Sequence, residues 1–143
     1  MPQDANARGQ VGALLTRMEQ PEKGLETIRE TIRLATSNDA SLGLFYLFAG
    51  EAELELGRAA AALEWLQRAN AFMPGSPLVQ AWLASVYATM GDQQNAAKYI
   101  GALKQLAPAG AERHAGRKFR HVSPNDWPRT RILEGLRLAL AAN

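Results

Sequence analysis

Residues 44–74 and 78–108 are two copies of one pattern at an offset of 34 positions. Gly57 falls on Gly91, Ala62 on Ala96, Leu66 on Ile100, Ala69 on Leu103, Phe72 on Leu106 and Pro74 on Pro108. A period of this length describes a unit of local structure too small to bury its own apolar face. Successive units must therefore stack, each covering the next.

The pattern within each unit is helical. Ala and Leu dominate, β-branched residues are few, and no stretch alternates with period two for long, which predicts an all-α chain. Apolar spacings of three and four predict a helix over residues 4–18, carried by Val11, Leu14, Leu15 and Met18. Pro21 opens the next at a first-turn position, where its missing N–H costs nothing. Leu25, Ile28, Ile32 and Leu34 are its expected buried stripe up to about Ala35. A third helix over 40–56 is apolar nearly all round at its start, so it should be covered on more than one side. Gly57 ends it, because a left-handed helix terminus is cheapest without a Cβ. The next helix, 59–73, turns Ala62, Leu63, Leu66, Ala69 and Phe72 to one side. Pro77 opens the following one, with Leu83, Val86, Tyr87 and Met90 inward, and Gly91-Asp92 repeats the Gly57-Arg58 turn. Ala96, Ile100, Leu103 and Leu106 mark the helix that reaches Pro108.

Beyond Pro108 the period lapses. Ala109–Arg120 reads as a short basic helix and His121–Pro128 as a turn-rich connection. In the closing helix, from Pro128 to Ala142, Ile132, Leu133, Leu136 and Leu140 share an arc of about 100°, with Leu138 off it. Such a helix can act as a lid on the array.

The third unit reads Gln80-x2-Leu83-Ala84-x2-Tyr87, then Ala96-x3-Ile100 and Pro108. The second reads Tyr46-x2-Ala49-Gly50-x2-Glu53, then Ala62-x3-Leu66 and Pro74. These resemble the tetratricopeptide (TPR) pattern. A degenerate first copy places Gly12, Gly24 and Ile28 where the second has Gly50, Ala62 and Leu66, at an offset of 38. The resemblance implies a right-handed α-α superhelix of about three helix pairs, over residues 5–38, 43–76 and 77–110, plus one or two capping helices. Residues 1–108 would be repeats and 109–143 a basic linker with the capping helix.

A narrower likeness rests on Leu42–Gly50, Leu56-Gly57-Arg58, Ala62–Ala69 and Arg129–Ala139. These segments are similar to the C-terminal TPR region of bacterial adenylate/guanylate cyclase-type proteins. There the region follows a catalytic or DNA-binding domain and is taken as regulatory. No such domain is present here, so cyclase activity is not implied.

TPR arrays bind through the concave face made by the first helix of each pair. Carried onto this chain, that face comprises Arg17, then Leu47, Glu51, Leu54 and Glu55, then Ala81, Ser85 and Thr89. Family members that clamp a peptide carboxylate use Lys, Asn and Arg there. The middle pair here offers Leu47, Glu51 and Glu55, better suited to a basic or amphipathic helix. Either a protein partner or the chain's own last helix can fill such a face.

No catalytic grouping emerges. There is no Ser/His/Asp set, no Cys, and no glycine-rich phosphate loop after a strand. His114 and His121 lack the further ligands a metal site needs, so neither metal nor cofactor is expected. Glu51 and Glu55, four apart, read as surface charges. The absence of cysteine excludes disulfides. No apolar run is long enough for a bilayer and Met1-Pro2-Gln3-Asp4 does not resemble a secretory signal, so the expected setting is cytoplasmic.

Residues 1–70 hold seven Lys/Arg against ten Asp/Glu, and residues 71–143 hold nine against four. Arg113, Arg117, Lys118 and Arg120 form a basic patch that could meet an acidic partner or another copy's acidic half. Nucleic acid is the weaker reading, since no nucleic-acid-binding module accompanies the patch. The expected function is a non-catalytic protein-interaction module, with self-association as the alternative.

Overall fold

The computed structural model describes Gly12 and residues 20–36, 39–106 and 131–142. Six helices form among these residues and no strand does: α1 (Pro21–Leu34), α2 (Leu42–Glu55), α3 (Ala59–Phe72), α4 (Pro77–Thr89), α5 (Gln93–Leu106) and α6 (Arg131–Ala141). The chain divides into two compact units, Met1–Met73 and Pro74–Asn143. The expected helix over residues 4–18 lies outside the described residues, apart from Gly12, which is helical.

In the first unit, α1 starts on Pro21 with Glu22 in its first turn and Arg33 in its last, both matched to the helix dipole. Gly24, Leu25, Ile28 and Thr31 are buried along it. Leu34 is not: it is 52 % exposed. Nine residues beyond Leu25 at about 100° each, it points to the opposite side of the helix. The α2 helix is buried nearly all round, as its composition requires. Leu25, Ile28, Leu42, Phe45, Ala49 and Ala52 form one core cluster, with Trp65 and Tyr46 packed against it.

The α2–α3 hairpin depends on two glycines. A Cβ on Gly50 would lie 2.7 Å from Leu66 Cγ and 3.3 Å from the Ala62 carbonyl oxygen. Gly12 meets the same surroundings, Ile28 Cγ1 at 2.6 Å and the Gly24 carbonyl at 2.9 Å. Gly57 has φ of 79° and closes α2 with two bonds, its own N–H to Leu54 O at 2.8 Å and Arg58 N–H to Glu53 O at 2.9 Å. This is a Schellman termination.

The second unit repeats it. Gly91 has φ of 80°, with Gly91 N–H to Ala88 O at 3.0 Å and Asp92 N–H to Tyr87 O at 2.9 Å. Ser76 caps α4 by accepting from Val79 N–H, and Pro77 follows at the first helical position. Asp92 caps α5, accepting from Asn95 N–H at 3.1 Å and from its side-chain amide at 2.7 Å. The Asn95 side chain, then its backbone N–H, holds the Asp92 carboxyl below the usual range. The core is Val79, Leu83, Val86, Ile100, Leu103 and Leu136. Phe72, Met90 and Leu106, expected inside, are all exposed. Each sits at the C-terminal end of its helix.

Two glycines with open space around them separate backbone strain from packing. Neither Gly91 nor Gly101 has a heavy atom near where a Cβ would go, but only Gly91 has positive φ. Gly91→Ala should destabilise by about 1–2 kcal/mol, and Gly101→Ala, inside α5, should stabilise by about 0.5–1 kcal/mol. Urea unfolding followed by circular dichroism reads both signs.

Candidate interaction surfaces

Ala81, Ser85 and Thr89 recur every four residues and so line one face of α4. Helix α6 lies along that face and meets α5 only at its margin. The contact is close because Gly135 has no side chain. A Cβ there would collide with the hydroxyl and carbonyl oxygens of Ser85 and come within 2.6 Å of Thr89 Oγ1. The Ser85 hydroxyl donates to the Ile132 carbonyl, and Thr89 Oγ1 donates to Ser85 O at 2.9 Å. Around this polar seam Ile132, Leu133, Leu136 and Ala139 are buried. Leu138, off the apolar arc, is exposed.

The first unit holds a buried carboxylate. Glu53 has a side chain only 3 % exposed and accepts from Arg58 Nε at 2.8 Å. It also accepts from Trp65 Nε1 at 3.2 Å and Arg29 Nη2 at 3.5 Å. The group ties α1, α2, the turn after α2, and α3 to one point. Trp65 stacks on Tyr46 with centroids 6.0 Å apart, Arg68 lies 5.0 Å over its ring, and Phe72 meets Tyr46 edge-on at 6.3 Å.

Thirty-four residues on, Tyr87 replaces Glu53, Tyr99 replaces Trp65 and Asp92 replaces Arg58. There Tyr87 and Tyr99 stack at 5.6 Å with planes 7° apart. One position in the repeat is therefore filled by an ion-paired carboxylate in one unit and an aromatic stack in the other. The sequence signal for the Glu53 site was a carboxylate at the tyrosine position with an arginine directly after the turn glycine.

Beside α1, a cleft of about 490 Å³ is floored by Leu25 and flanked by Glu22, Glu26 and Glu30 together with Arg29, Arg33 and Arg58. Its charges balance, and Arg33 already chelates Glu30 at 2.6 and 3.0 Å. The cleft therefore carries no clear preference for ligands of one sign.

The expected concave residues are placed as follows. Leu47, Leu54, Ala81 and Ser85 are buried. Glu51, expected as a surface charge, is only 4 % exposed, because α2 is covered on nearly every side. Glu55 is half-buried and Thr89 exposed, so these two present most of the surface on that set. Arg17, His114, His121 and the basic residues Arg113, Arg117, Lys118 and Arg120 lie outside the described residues. Among the described residues, no group of three or more His, Asp or Glu could hold a metal ion. No described helix is long and apolar enough to cross a membrane.

No family model matches the sequence, and no curated protein is similar to it. Solved structures of MamA are similar in fold. One matches with a TM-score of 0.67 at 20 % identity, over 99 % of this chain and 79 % of its own. Another matches with a TM-score of 0.66 at 20 % identity, over 99 % of this chain and 74 % of its own. At that identity the likeness shows the fold, an all-α helical repeat of TPR type.

Exchanging the two fillings of the repeat position tests the Glu53 site. Glu53→Ala should cost about 1–3 kcal/mol by stranding the Trp65 N–H and two arginines whose heads remain half in water. Glu53→Tyr combined with Arg58→Asp and Trp65→Tyr should cost less than Glu53→Ala, measured as the urea midpoint at constant slope.

Proposed function

We propose that the chain is a non-catalytic protein-interaction module whose recognition faces belong to the first helix of each pair. The observation that carries this reading is α6 seated on the Ala81–Ser85–Thr89 face of α4: that face accepts a helix. The repeat fold supports it too, because stacked hairpins offer rigid helix faces for recognition.

The partner is a protein or peptide in the form of a basic or amphipathic helix. On the first unit the contact is made at the C-terminal end of α2, where Glu55 gives the accessible charge. The finer setting is the regulatory C-terminal region of an adenylate cyclase-type protein in the cytoplasm. It is supported by the likeness of residues 42–50, 56–58, 62–69 and 129–139 to those proteins. Self-association is the rival, favoured by the acidic first half and basic second half of the chain.

Immobilised full-length chain should retain a defined protein from lysate. Glu55→Lys should reduce its recovery about three- to fivefold, the scale of one exposed charge pair, with the circular dichroism unchanged. Unchanged recovery removes this end of α2 from the interface. Sedimentation velocity across a concentration series separates self-association, which predicts a rising sedimentation coefficient.

A further inference from the structure

The receiving face of α4 is built from small residues, and the face it receives has a glycine at its centre. At the equivalent positions of α2, 34 residues earlier, stand the larger Leu47, Glu51 and Glu55. On α4 the same positions are Ala81, Ser85 and Thr89, and Gly135 drops onto them. Two independent features mark this seam as recognition of a helix. The side-chain hydroxyl of Ser85 reaches a backbone carbonyl of α6, a bond that reads the helix main chain at close range. Every larger residue at 135 would collide with α4 backbone and hydroxyl atoms. The seat, moreover, is one helix face, since α6 barely touches α5.

We propose that the Ala81–Ser85–Thr89 face of α4 is a receptor site for a short amphipathic helix with the pattern apolar-apolar-x-Gly-apolar-x-x-Ala. In the folded chain Ile132, Leu133, Gly135, Leu136 and Ala139 of α6 supply that pattern in cis. A helix of the same pattern supplied in trans takes the place of α6. This deepens the interaction-module reading and rests on it. Covalent attachment holds α6 beside its seat at an effective concentration on the order of millimolar. A free helix of equal intrinsic affinity therefore competes poorly until the cis contact is weakened.

The probe is a fluorescently labelled synthetic peptide of residues 129–143, read by anisotropy against the full-length chain. Gly135→Val in the chain should leave α6 unable to seat and tighten peptide binding at least about tenfold relative to wild type. The same substitution in the peptide should weaken its binding to the variant chain by a similar factor. Because Gly135→Val could also prevent folding, a wild-type chain carrying a protease site inserted within residues 107–130 provides the second measurement. After cleavage, native mass spectrometry should show the C-terminal fragment carrying α6 replaced by added peptide, with helical circular dichroism retained. Equal binding to wild-type and folded variant chains overturns the proposal. So does a cleaved chain that keeps its fragment against excess peptide or unfolds when it leaves. If the full-length chain captures a protein through Glu55 but shows no exchange, this proposal alone falls.

Discussion

Everything in this fold rests on helices approaching closely where side chains are missing. Gly50 lets α2 settle onto Leu66 and the Ala62 carbonyl of α3, and Gly12 makes the same approach to Ile28 and the Gly24 carbonyl. Gly135 does so for α6 and α4. At each point a single Cβ would force a gap, and protein interiors tolerate gaps poorly because packing is close to crystalline. Small residues thus decide where helices cross, and the large ones around them, Leu66, Ile100 and Leu136, become fully buried as a result.

The turn after each first helix is the second constraint. Gly57 and Gly91 adopt nearly the same positive φ and make equivalent pairs of backbone bonds. With crossing points and turns fixed, the position between them is free to vary in chemistry. Glu53, bonded to Arg58, Trp65 and Arg29, occupies it in one unit, and the Tyr87–Tyr99 stack occupies it in the other. Burying a carboxylate is costly unless its acceptors are filled, and three donors fill them here.

The hairpins were legible because punctuation and periodicity agree: Pro21 and Pro77 open helices, and Gly57 and Gly91 close turns between apolar stripes. Leu138 was correctly read as lying off the packed face. What the pattern could not give was long-range. Leu34 is apolar yet faces away from the buried stripe, and Phe72, Met90 and Leu106 follow an apolar period yet lie outside, since periodicity does not say how far burial extends along a helix. Glu51 reads as a surface charge in sequence and is buried because α2 is surrounded. Ala81 and Ser85 were expected on a concave face by their position in the repeat, and the seating of α6 on this helix depends on a contact between residues 47 apart. No local signal encodes such a contact.

The account is tested most directly by a double-mutant cycle at Gly50 and Leu66, followed by urea unfolding. If small residues set the crossing, Gly50→Ala and Leu66→Ala are each destabilising. The pair together should then cost less than their sum by at least about 1 kcal/mol, because the truncated leucine vacates the space the new methyl needs. Strictly additive costs would mean that the two helices do not meet through this contact, and the structural argument would fail with them.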